Sequence, residues 1–143
     1  MKIILLLLIL STMMVDPFSP EAADAFADKM EEYYNVPTNW KFRDIGSWWS
    51  ATLATGDPLV CTTTVFISPK WKTEQSPIWK YTLAHEWAHV LQGKNCVNNE
   101  KNADLIALSK LAEAEEWKAF LAGANWLMET NQLTMEEVKG VIK

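Results

Sequence analysis

Residues 85–89 read His-Glu-Trp-Ala-His, and these two histidines are the only ones in the chain. An H-E-x-x-H run demands a helix. There, positions i and i+4 lie on one face, so both imidazoles can reach a single ion at about 2.0–2.1 Å. Glu86 follows the first imidazole directly and can serve a water on the metal without ligating the ion itself. The flanks supply the helix the motif needs. Ser76-Pro77 is a cap followed by Pro at a helix start, and Gly93 is a stop, which predicts a helix running to Gln92.

Two imidazoles do not complete a catalytic site, which normally takes three protein ligands and keeps one position for water. A third histidine is excluded, because position 92 is Gln and position 95 is Asn. Downstream, Glu100 opens the next predicted helix and Asp104 follows one turn later on the same face. That spacing lets Glu100 act as third ligand while Asp104 accepts the other ring N–H of a ligating histidine. Asp104 itself and Glu113 are rival ligands. A plain first-turn acidic residue favoured by the helix dipole is the other reading of Glu100.

His85-Glu86-x-x-His89 followed by Asn99-Glu100-x-x-x-Asp104 resembles the gluzincin pattern of zinc metallopeptidases, with the short spacing of its minimal members. His89 to Gln92 and Glu100 to Ala103-Asp104 are also similar to the H-E-x-x-H-x-x-Q and E-x-x-A-D elements of small bacterial neutral zinc metallopeptidases. The resemblance covers mainly residues 76–122. It implies Zn2+ held by His85, His89 and Glu100, and Glu86 as the catalytic acid–base in hydrolysis of a peptide or protein substrate. It also implies that the strand before the motif helix, Thr63–Ile67, is a sheet edge. An extended peptide would pair there, with Val65, Phe66 and Ile67 as substrate-binding residues. The competing readings are a non-catalytic zinc-binding interaction module, a cytoplasmic protease that cleaves a regulator, and a role in cell-wall turnover.

The rest of the chain predicts an α+β fold of zincin-like type, with a small antiparallel sheet between an N-terminal helix and the motif helix. Ser19-Pro20-Glu21 starts the first helix, which carries Ala22, Phe26, Met30 and Tyr33 and ends before Pro37. Trp40–Ile45, Trp48–Ala54 and Leu59–Ser68 have the alternation and composition of strands. A third helix from Asn98 or Asn99 to just before Gly123 places Trp117 on its apolar face. Thr134-Met135-Glu136-Glu137 is a capping box opening a last short helix. Trp87 is expected to point away from the histidines and pack. Trp48, Trp49, Trp71 and Trp79 are divided between core and cleft.

Met1–Val15 has one Lys and then an apolar run from Ile3 to Leu10, as in a secretory signal. Residues 1–19 are therefore read as a signal peptide or N-terminal anchor, and residues 20–143 as a single domain. Ala23-Asp24-Ala25 and Ala25-Phe26-Ala27 are the A-x-A-like cleavage candidates. Export, secreted or held by residues 3–15, would put Cys61 and Cys96 in an oxidising compartment. A disulfide there would contribute roughly 3–4 kcal/mol in the loop-closure model, the alternative being two buried thiols. No apolar run approaches the roughly 18–20 residues of a spanning helix. A net charge of −5 argues against nucleic acid as a partner, and a monomer is expected.

Overall fold

Helix α2, Ile78–Gly93, is apolar on nearly every side, and a helix with that pattern must be covered by others. In the structure, a computed structural model, three helices cover it. They are α1 (Pro20–Tyr34), α3 (Glu100–Glu113) and α4 (Trp117–Glu129), with α5 (Met135–Val141) packed on α3. The structure describes residues 14–35, 39–42, 52–54, 64–67, 69–93 and 99–142, and side chains within 14–35, 71–92 and 99–142. Trp79, Leu83, Ala84, Trp87, Ala88 and Val90 of α2 are buried against Phe26, Met30, Leu108, Leu111, Phe120 and Leu127. Each large side chain so buried is worth about 1.5–3 kcal/mol before entropy is counted.

This arrangement overturns the expected α+β fold with a small antiparallel sheet. Among the residues whose side chains are described, the core is all-helical. Three short strand segments, β1 (Asn39–Phe42), β2 (Thr52–Ala54) and β3 (Thr64–Ile67), pair in the order β1-β3-β2. Their pairing is mixed: β1 runs parallel to β3, with Asn39 opposite Thr64, and only β2 is antiparallel to it, with Thr52 opposite Ile67. The physical reason for the error is that alternation reports strand character but neither partner nor direction. The apolar faces of α2 meanwhile find their cover in other helices.

Helix α1 forms as its sequence predicts. Ser19 Oγ accepts the Ala22 N–H at 3.0 Å, and Asn35 ends the helix in the left-handed region at φ 51°. Its buried face is Ala23, Phe26, Ala27, Met30 and Tyr34, so Ala22 and Tyr33 flank the core rather than belonging to it. Both A-x-A candidates lie inside this helix, where Ala23 and Ala27 are fully buried. The chain leading into it is fastened as well. Asp16 and Phe18 donate backbone hydrogen bonds to the Gln75 and Glu74 carbonyls, and Lys80 pairs with Asp16 at 2.8 Å. Met1 to Met13, Trp48, Trp49, Cys61 and Cys96 lie outside the described residues.

The predicted third helix is two helices. The Glu116 N–H reaches the Leu111 carbonyl at 2.9 Å and the Glu115 N–H reaches that of Ala112 at 3.1 Å, the paired bonds of a Schellman ending. Glu115 holds the left-handed position at φ 56° that glycine usually fills. Restarting at Trp117 resets the helical phase. Trp117 is consequently 45% exposed instead of lying in the core, and Gly123 falls inside α4. The last helix has its expected capping box, Thr134 with Glu137.

Gly123 of α4 lies directly against Tyr81 of α2. A Cβ at this position would overlap the ring of Tyr81. Gly123→Ala should cost about 1–3 kcal/mol by overpacking, read as a lower urea midpoint, whereas Gly140→Ala, where nothing lies within 4 Å, should not destabilise.

Candidate metal centre

The site is built where the exposed edge of α2 meets the first turn of α3. His85 and His89, one turn apart, bring their rings to a centroid separation of 4.6 Å at nearly a right angle. Their Nε2 atoms lie 3.0 Å apart. Asn99 caps α3 by accepting the Asn102 N–H at 2.9 Å, which places Glu100 as the first helical residue, facing the imidazoles. The two Glu100 carboxylate oxygens lie 3.1 Å from His85 Nε2 and 3.2 Å from His89 Nε2.

These three residues form a group that could hold a metal ion, the only such group among the described residues. Ligand atoms at about 2.0–2.1 Å around a tetrahedral ion lie roughly 3.3 Å from one another, close to the spacing here. The donor set fits as well, with two imidazole nitrogens and one carboxylate oxygen converging on one point. Glu100 is 73% exposed, so the group faces solvent on that side and the ligand set leaves a position for water.

Each imidazole is braced at its far nitrogen. His85 Nδ1 lies 2.8 Å from Asp104 Oδ1, a close pairing that falls off the ideal line of the ring N–H. His89 Nδ1 lies 2.9 Å from Gln92 Oε1. Braces of this kind set the tautomer and turn the ligating lone pair toward the metal. Asp104 is buried and also accepts the Tyr81 hydroxyl at 2.5 Å. Asp104 thus meets His85 at Nδ1, while Glu100 meets it at Nε2. Glu113, at the far end of α3, pairs with Lys110 at 3.3 Å and does not join the site.

Charge and burial oppose each other at His85. Burial lowers its pKa, but the hydrogen bond to Asp104 and the carboxylates of Glu86, Asp104 and Glu100 together raise it above the usual imidazole value. Burial, followed by the charge of Asp104, pushes the Tyr81 hydroxyl far above the ordinary phenol range, so it remains a neutral donor. Tyr81 therefore acts on the site through Asp104. Glu86 is half-buried on α2, with its carboxylate near enough to His85 to favour the charged ring.

The expected substrate strand does not have its expected place. Val65, Phe66 and Ile67 lie on β3, the middle of the three strands, with β1 on one side and β2 on the other. The edge that an extended peptide would need is already used. Trp87 is fully buried, as anticipated, and Trp79 packs edge-on against Phe18 and Phe26 in the core. Gln92 was present in the sequence only as a motif letter. Its contact with His89 could have been suspected from its position three residues further along the same helix.

No protein family, curated protein or solved structure matches this chain.

The raised pKa of His85 has a definite sign. The folded, metal-free protein holds this proton more tightly than the unfolded chain. The contribution to stability is fully present below the usual imidazole pKa and fades as pH rises through the higher folded value. A metal ion must displace that proton, so metal affinity should fall with decreasing pH. Asp104→Asn should weaken metal binding about 10- to 100-fold and move its pH midpoint downward, as read by competition with a chromophoric chelator across pH.

Proposed function

We propose that the chain is a zinc-dependent endopeptidase of gluzincin type, hydrolysing peptide bonds outside the cytoplasm. The observation that carries this reading is the convergence of His85, His89 and Glu100 from two helices, with Glu86 beside the first imidazole. The set is two imidazoles and a carboxylate with solvent on one side, the composition of a hydrolytic zinc site and not of a closed structural one rich in Cys. Export rests on the apolar start of the sequence, Ile3 to Leu10.

When bound, zinc supplies Lewis acidity: it acidifies a coordinated water and polarises the scissile carbonyl. The chain's own residues do the rest. Asp104 and Gln92 lie against the two Nδ1 atoms, a placement that would leave both Nε2 lone pairs facing inward. The Glu86 carboxylate takes a proton from the attacking water and returns it to the leaving amine. Tyr81 holds Asp104 in place through its hydroxyl.

Elemental analysis and cleavage of an unstructured protein, made on the same purified samples, test this reading. The wild type should carry one zinc per chain and cleave. Glu86→Gln should keep the zinc and lose about 100-fold or more of the rate, the scale expected for a general acid–base. Glu100→Ala should lose the metal. Unchanged turnover in Glu86→Gln would contradict the assignment. Stoichiometric zinc without any cleavage by the wild type would favour a zinc-binding interaction module instead.

A further inference from the structure

Gln92 and Asp104 are the buried polar side chains among the described residues, and Asp104 is already accounted for. Gln92 makes four polar contacts that join the motif helix to the cap of the helix bearing Glu100. Its Oε1 lies 2.9 Å from His89 Nδ1 and accepts the Asn99 N–H at 3.3 Å. Its Nε2 donates to the Asn99 carbonyl and to Asn102 Oδ1, both at 2.9 Å.

Two of these partners cannot change role. The Asn99 N–H can only donate, and the Asn99 carbonyl can only accept. Flipping the amide would set its NH2 group against the backbone N–H and its oxygen against the backbone carbonyl, leaving buried groups unpaired. The backbone at the α3 cap thereby dictates which end of Gln92 faces His89. Only an acceptor is offered there, so His89 carries a proton on Nδ1, which in the neutral ring leaves a bare Nε2 toward Glu100 and His85.

We propose that Gln92 is a positioning residue that couples the two halves of the metal centre. Through one amide it selects the ligating tautomer of His89 and fastens the α3 cap that places Glu100. The ligand geometry then depends on the two helices being docked, and a helix pair that separates loses both the tautomer and the third ligand together. This inference rests on the metal-centre reading for its purpose but not for its test, since the tautomer can be read without any metal.

The experiment is long-range 1H–15N correlation of the histidine rings in the full metal-free chain, at a pH where His89 is neutral, beside zinc affinity by chelator competition. The wild type should show His89 protonated on Nδ1 alone. Gln92→Met should give a mixture of tautomers and bind zinc about 10- to 100-fold more weakly. Gln92→Glu, which keeps an acceptor toward His89, should restore the Nδ1 tautomer. A wild type with His89 protonated on Nε2 or mixed would overturn the proposal, and so would a folded Gln92→Met with the tautomer and zinc affinity unchanged. If Gln92→Met does not fold, the wild-type and Gln92→Glu spectra decide. Absence of zinc binding in the wild type would sink the peptidase reading and leave the tautomer result standing.

Discussion

The docking of α3 against α2 is the contact on which everything else depends. The group that could hold a metal needs both helices, because α2 supplies two imidazoles and α3 the carboxylate. Both helices bury apolar side chains in the common core, among them Leu83, Ala84, Trp87 and Ala88 of α2 and Ala103, Ala107 and Leu108 of α3. With the two helices docked, Glu100 lies within about one hydrogen-bond length of both histidines. A core substitution that pushed the helices apart would therefore act on the ligands as well as on stability.

Around that contact lies a layer of buried polar groups, each costly to leave unpaired. Asp104 accepts the Tyr81 hydroxyl and lies 2.8 Å from His85 Nδ1, and Gln92 ties His89 to Asn99 and Asn102. Tyr34, on α1, donates to the Ala84 carbonyl at 2.6 Å, immediately before His85. Two other elements, α1 and α3, thus hold the histidine turn from behind, leaving its Nε2 edge toward solvent. Preorganisation of this kind lets a small domain spend its binding energy on the metal instead of on ordering its ligands. The expected role of the β3 segment as a substrate edge does not survive its central position, so the peptide groove of the proposed enzyme must be sought elsewhere on the molecule.

Much of the site was legible in the sequence because its rules are local. The i, i+4 histidines and the Glu100–Asp104 turn follow from helical periodicity, and His85, His89 and Glu100 converge into one group that could hold a metal ion. The caps Ser19 and Thr134 were readable for the same reason. What escaped was decided by long-range packing. The break at Glu115 has neither Gly nor Pro to announce it, and it turned Trp117 from a core residue into an exposed one. Alternation between residues 40 and 68 drew the fold class toward an antiparallel sheet where the described core is helical, and the three short segments that do pair there are mixed in direction. The role of Gln92 required knowing that the α3 cap lies against it, which no periodicity reveals.

The central claim is that two imidazoles and a carboxylate from two helices close around one zinc ion. X-ray absorption at the zinc edge, on the full chain loaded with one equivalent of zinc, tests it most directly. The account predicts light-atom ligands only, at about 2.0–2.2 Å, with the multiple-scattering pattern of two imidazoles. Scattering from sulfur near 2.3 Å would place the metal on Cys61 or Cys96, and a spectrum of fully hydrated zinc would show no site at all; either would contradict it.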